Sequence, residues 1–161
     1  MAKSKTFHFK FEGMDEYIKH IEDLGLKSTG MAKRSLYDGV AVVGESIRQA
    51  IVDLPYHPTK GISHEQKQGL LDGLGYTLMK RKKGSWYVKI GWDGYNNVHT
   101  KKYPNGQPNA MIAAAVNSGT SRRQRTNFIN KAVNRAKQAS YAAMKACFDK
   151  DLEVWSQKGK M

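Results

Sequence analysis

The chain has 161 residues, enough for one domain with its own core and short for two. Hydrophobic residues make up 40% and charged residues 25%, which excludes wholesale disorder, and no apolar run approaches the roughly 20 residues that cross a bilayer. The formal charge is +13 and unevenly carried: residues 1–60 hold 9 Lys and Arg against 8 Asp and Glu, residues 61–161 hold 18 against 6. Such an asymmetry implies a surface turned toward a polyanion or an acidic partner, or a basic face that only keeps the chain soluble. The opening Met-Ala-Lys-Ser-Lys-Thr is basic with no apolar stretch behind it, so it does not read as a secretion signal. Cys147 is the only cysteine, can form no internal disulfide, and sits among Ala143, Met144 and Phe148 like a small core residue. The expectation is a protein made and folded in a cytoplasm.

In chain order, Phe7-His-Phe-Lys-Phe-Glu-Gly13 alternates apolar and polar residues and predicts a short strand. Asp15 is a candidate N-cap for a helix carrying Tyr17, Ile18, Ile21 and Leu24 and closed by Gly25. Ser28 or Thr29 opens a longer helix. Its stripe Leu36, Val40, Val43, Ile47, Ile51, Leu54 steps by three and four until Pro55, and Gly39 and Gly44 permit close packing on or beside that face. Residues 55–75 show no sustained period and read as a long exposed loop.

Tyr76–Lys80 and Trp86–Trp92 then flank Arg81-Lys-Lys-Gly84-Ser85, a hairpin with Trp86, Val88 and Ile90 on one face and Tyr87 and Lys89 on the other. A second loop spans 93–107. Pro108 introduces a helix over Ala110–Val116 with Gly119 as its C-terminal cap. The longest predicted helix runs from Phe128 to about Trp155, with an apolar side of Phe128, Ile129, Ala132, Val133, Ala136, Ala139, Ala143, Met144, Cys147 and Phe148. The expected fold is α+β, a single domain over 1–161: a small antiparallel sheet with a long hairpin packed against two long helices, and extended loops at 55–75 and 93–107.

Catalytic chemistry is thinly represented. His57, His64 and His99 lie in the two predicted loops, and Asp72 and Asp93 complete a ligand set only if those loops converge. No pair has a recognised zinc or metallohydrolase spacing, so solvated histidines are expected and no metal or cofactor is assigned. Asp15 with Glu16, and Glu22 with Asp23, are adjacent acids whose side chains diverge on a helix. Gly69, Gly73 and Gly75 resemble a phosphate-binding loop but precede a strand where a helix is required. No catalytic residue is assigned, and the chain is not expected to be an enzyme.

The basic clusters are stronger. Lys80, Arg81, Lys82 and Lys83 form the hairpin tip, Lys101 and Lys102 lie in the second loop, and Arg122, Arg123 and Arg125 stand before the last helix. Tyr76, Trp86, Tyr87, Tyr95 and Tyr103 among them suit either base stacking or a half-buried sheet, the sheet being favoured.

Asn109-Ala-Met-Ile-Ala-Ala-Ala-Val-Asn-Ser-Gly-Thr-Ser121, followed by Asn127-Phe-Ile-Asn-Lys-Ala132, resembles the tail-completion or head–tail neck proteins of long-tailed bacteriophages related to lambda. Phe11-Glu-Gly13-Met14, a helix ending near Pro55, Gly69-Leu70-Leu71, Ala114 to Thr120, and Phe128-Ile129 follow that family's order over nearly the whole chain. Asn117 and Ser118 replace an acid common before the Gly-Thr step, Asn127 replaces a proline, and the loops at 55–69 and 93–107 are longer than in the family.

The resemblance implies a virion subunit, made in the host cytoplasm, that closes with copies of itself into a hexameric ring at the top of the tail. It would act by assembly with other neck and tail proteins, with DNA passing through the lumen and no membrane contact. Gly13, Pro55, Gly69, Leu70, Gly119, Thr120 and Phe128 would be structural positions. The Lys80–Lys83 tip, Tyr95, Lys101, Lys102, Tyr103, Arg122, Arg123 and Arg125 are candidates for contact with neighbours or DNA. The alternatives are a basic protein that binds nucleic acid directly, and a small metal-dependent nuclease using the loop histidines.

Overall fold

The computed structural model describes residues 7–8, 28–57 and 59–158. The expected helix after Asp15, its acid pairs, Gly13 and the rest of the first strand lie outside the described residues. The fold is α+β. In order, the elements are β1 (Phe7–His8), α1 (Ser28–Val52), α2 (His64–Gly73), β2 (Leu74–Tyr76), β3 (Lys80–Lys82), β4 (Ser85–Tyr87), β5 (Lys89–Trp92), α3 (Asn109–Ser118) and α4 (Phe128–Lys158).

The two long helices form the centre. They run antiparallel, because Ser35 lies against Met144, Gly39 against Ser140 and Ser46 against Ala132. Three seryl hydroxyls cross the interface to helical carbonyls: Ser35 Oγ to Met144 O at 2.8 Å, Ser140 Oγ to Gly39 O at 2.9 Å and Ser46 Oγ to Ala132 O at 2.9 Å. Ser35 and Ser140 are both 0% exposed, so these bonds satisfy hydroxyls that burial would otherwise leave unpaired. The predicted α1 stripe is buried throughout, from Leu36 to Leu54. On α4 the buried line is Ala132, Ala136, Ser140, Met144, Phe148, steps of four. Ala139, predicted on that face, points to solvent and Ser140 takes its place. Apolarity alone chose wrongly there, because a small hydroxyl that finds a carbonyl packs as well as alanine.

The three-stranded sheet has the order β1-β5-β2, antiparallel throughout, and covers the other side of α1. Val88, Ile90 and Trp92 are buried in alternation as the period-2 reading requires. The single long hairpin expected over 76–92 is instead two short pairings. β2 opposes β5 with Tyr76 across from Ile90, whereas β3 opposes β4 with Lys80 across from Tyr87. Three residues, 77–79, therefore face two, 88–89, and the extra residue is a β-bulge. Thr77 holds it: its N–H donates to Lys89 O at 2.8 Å and its hydroxyl accepts from Lys89 N at 3.1 Å. The tip turns on Lys83 (φ 50) and Gly84 (φ 85), the two positive-φ residues of a type I′ connection.

The loop expected over 55–75 is corrected. Ser63-His-Glu-Gln66 is a full capping box, with Ser63 Oγ accepting from Gln66 N and Gln66 Oε1 accepting from Ser63 N, both at 3.2 Å, and it opens the helix α2. Gln66, Gly69 and Leu70 are its buried residues, one glutamine and one glycine among three, so no apolar period marks it. Gly69, Gly73 and Gly75 accordingly lie on a helix and a strand, not in a phosphate loop. The loop after β5 is irregular as expected. Among the described residues no helix is long and apolar enough to cross a membrane.

A Cβ on Gly39 would lie 2.4 Å from Met144 Cγ, whereas one on Gly44 would meet only Ile90 Cδ1 at 3.5 Å, an ordinary contact. Gly39→Val is therefore expected to lose about 1–3 kcal/mol by overpacking. Gly44→Ala should gain up to about 1 kcal/mol in helix propensity. Urea denaturation of the two variants would read opposite shifts of midpoint from one helix.

Candidate functional site

Arg122, Arg123 and Arg125 sit on one short loop pinned at both ends. Gly119 ends α3 at φ 76, its N–H on Ala115 O at 2.9 Å, and a Cβ there would press on Arg125 backbone at 3.0 Å, so glycine is required twice over. Thr120 and Arg123 exchange backbone bonds of 2.9 and 3.2 Å, and Thr120 Oγ1 accepts from the N–H groups of Arg122 and Arg123. At the far end Thr126 N and Asn127 N return to Val116 O and Asn117 O.

Asn117 and Asn127 fix the passage from the loop into α4. Asn117, buried, accepts from Ile129 N through Oδ1 at 3.1 Å and so caps the first turn of α4. Asn127 stands at φ 53, which proline's ring forbids and asparagine tolerates.

The result is a cleft of about 840 Å³ between this loop and the turn after α1. Leu54, Ile62 and Val116 supply its buried aliphatic lining, with Pro55 at the edge. Lys60, Arg122 and Arg125 are its exposed cations, and no Asp or Glu lines it among the described residues. Arg123 turns inward: Nη2 donates to Gln66 Oε1 at 3.1 Å, and Gln66 Nε2 donates to Gln107 Oε1 at 2.7 Å, joining the arginine loop to α2 and to the end of the 93–107 loop. Arg123 Nη1 is buried with no acceptor among the described residues, and burial pulls the guanidinium pKa below its ordinary value.

The Lys80–Lys83 cluster lies on the β3–β4 arm, exposed throughout. Lys101 and Lys102 are exposed in the second loop, whose shape comes from Asn96. That buried side chain accepts from Val98 N and Gln107 N, while Asn109 Nδ2 donates to Asp93 O. Most aromatics proposed for base stacking are engaged within the chain. Arg81 lies 5.2 Å from the Trp86 ring centre, Lys89 5.9 Å from Tyr87 and Lys102 5.4 Å from Tyr103. Tyr76 tilts against Tyr37, the Tyr103 hydroxyl donates to Met111 Sδ, and Tyr95 stays exposed.

Of the other structural positions, Gly69 packs on Asn96 and Asn109, Leu70 is in the core, and Phe128 meets Trp92 edge-on at 6.2 Å. Pro55 is exposed past the end of α1.

The histidines serve the loops. His57 Nδ1 accepts from Thr59 N and Lys60 N, the His64 ring stacks on Tyr56 at 4.2 Å, and His99 Nδ1 donates to Pro104 O at 2.7 Å. His64 and Asp72 share a shallow cleft beside Tyr95, but no three His, Cys, Asp or Glu converge among the described residues. The polar anchors Gln66, Asn96, Asn109 and Asn117 were missed from sequence. For Gln66 the Ser63-x-x-Gln66 box was a readable signal, and for the asparagines none was. No family model, curated protein or solved structure matches the chain.

Asn117→Ala should cost about 1–2 kcal/mol by uncapping α4, seen as a lowered thermal midpoint. Cys147 is half-buried, and burial first, then the hydrogen bond and charge of Asp38, push its thiol up to about 11. A raised thiol pKa means less thiolate at pH 8. Iodoacetamide should therefore label the native chain on the order of a hundredfold more slowly than the urea-unfolded chain.

Proposed function

We propose that this protein is a structural subunit of a bacteriophage virion, a ring-forming component of the head–tail connection that works by assembly and not by catalysis. The observation that carries the reading is the β3–β4 arm. Residues 80–84 are all exposed, their four cations pair with no carboxylate among the described residues, and Leu78 at the base is 76% exposed beside an exposed Tyr76. Leu78 and Tyr76 are apolar surface that a neighbouring subunit would bury, and the four cations beside them would meet an acidic face of that neighbour. The bulge at Thr77 bends the ladder at the root of this arm.

The order of elements supports the same reading: a long helix before Pro55, Gly69-Leu70-Leu71 leading into the hairpin, the Gly119-Thr120 turn, and Phe128 opening the last helix. Each subunit's arm would dock on the next, and closure would repeat one weak contact around the ring. Direct nucleic-acid binding has less support, because three of the five aromatic rings lie beside the chain's own cations.

Analytical ultracentrifugation and negative-stain microscopy at low and high salt, with and without duplex DNA, test this reading. Closed rings, expected to contain six subunits, should form at high protein concentration. They should be lost in Leu78→Asp, whose melting stays within about 0.5 kcal/mol of the parent because the site is exposed. A chain that stays monomeric and binds duplex tightly, with a steep salt dependence, would transfer the assignment to nucleic-acid binding.

A further inference from the structure

The arginine cleft is separate from the arm and is built differently. It is concave, with an aliphatic lining, a cationic rim, and one guanidinium partly withdrawn from water. Gln66 holds Arg123 by one fork only, through Oε1 at 3.1 Å, and that oxygen also accepts from Ser63 N at 3.2 Å. The second fork, Nη1, is buried without an acceptor. Having no exposed surface, that nitrogen cannot meet a ligand directly, so Arg123 braces the loop from within and leaves the exposed Arg122 and Arg125 as the cations a carboxylate can reach. Arg122 and Arg125 add two exposed cations nearby, and Arg125 is oriented by Nε donating to Asn127 Oδ1 at 2.7 Å.

We propose that this cleft is a docking site for an acidic peptide segment of a partner protein, with carboxylates on Arg122, Arg125 and Lys60 and an apolar side chain against Pro55 and the narrow floor where Leu54, Ile62 and Val116 reach the cleft. Charge complementarity selects the acid, since no Asp or Glu lines the cleft among the described residues. The apolar part of the lining selects a peptide over a bare anion or a nucleic-acid strand: sugar and phosphate leave such a surface wet, and of the two aromatic rings in the lining Tyr56 is stacked on His64 and His57 is bonded to Thr59 N and Lys60 N. A volume of about 840 Å³ holds several side chains, far more than one phosphate. Recognition is by side chains and not by strand addition, because Thr120 and Arg123 use their backbone groups on each other. The site belongs to one chain and does not depend on ring closure.

Fluorescence anisotropy with a labelled peptide alternating Glu and Leu tests the proposal on the full chain. Binding should saturate and should weaken roughly tenfold or more in the double variant Arg122→Gln/Arg125→Gln, both exposed and safe for the fold. It should stay within about twofold in Lys80→Gln/Lys82→Gln, which removes the same charge from the arm. Arg123→Gln would disturb the bond to Gln66 and with it the shape of the loop, so the double variant decides. Nitrogen-15 chemical-shift changes should concentrate in 54–62 and 120–126. Four results would each overturn the proposal: no saturable binding, equal loss in the arm variant, equal affinity for a Glu–Ser peptide, or displacement by single-stranded DNA that shows the same dependence on Arg122 and Arg125.

Discussion

The close approach of α1 and α4 is the constraint on which the rest of the molecule depends. Two helices of this length normally separate their axes with large side chains. Here Ser35 and Gly39 on one helix meet Met144 and Ser140 on the other, and the seryl hydroxyls donate across the gap to carbonyls already inside helical ladders. Each small residue brings the backbones closer, and closeness is what lets a hydroxyl reach a main-chain oxygen. The two features require each other. Arg34 and Asp151 add an ion pair of 2.8 Å toward the far end of the same seam.

With that pair in place, α1 also takes the sheet, through β2 and through Ile90 beside Gly44, while Trp92 turns to Leu70 and Phe128. The remaining segments are fastened less by apolar burial than by buried amides. Asn96 organises the loop after β5, Asn109 ties α3 to Asp93 and Gly94, Gln66 ties α2 to the arginine loop, and Asn117 ties α3 to α4. An amide side chain that bonds two segments sets their relative position within a few tenths of an ångström, which apolar contact does not. This economy leaves long stretches of surface with no internal duty.

The surface so released is cationic. The arm holds its charges in water, where they are cheap and strongly screened, and the arginine cleft holds one guanidinium partly out of water, where a partner's charge would count for more. Leu78 on the arm and the aliphatic lining of the cleft add apolar area to each.

The sequence by itself determined the α+β class, the stripe of α1, the register of alternation in β5, the glycine cap of α3 and the start of α4 at Phe128. Each is a local rule: a period, a cap, or a residue that alone tolerates a backbone angle. Tertiary structure decided the rest. Ser140 displaced Ala139 on the buried face because Gly39 offered a carbonyl. The helix α2 formed where no apolar period marks one, because its inner face bonds Gln66 to Gln107 and Arg123 and packs Gly69 on Asn96 and Asn109, all distant in the chain. The hairpin split at a bulge that only strand pairing can reveal. Arg122, Arg123 and Arg125 were visible as a charge cluster, but their division into exposed cations and one inward guanidinium depended on Gln66, 57 positions from Arg123 along the chain. A polar residue carries no sequence mark of whether it will meet water or a buried partner, since both satisfy the same donors and acceptors, and only the folded chain brings that partner within reach.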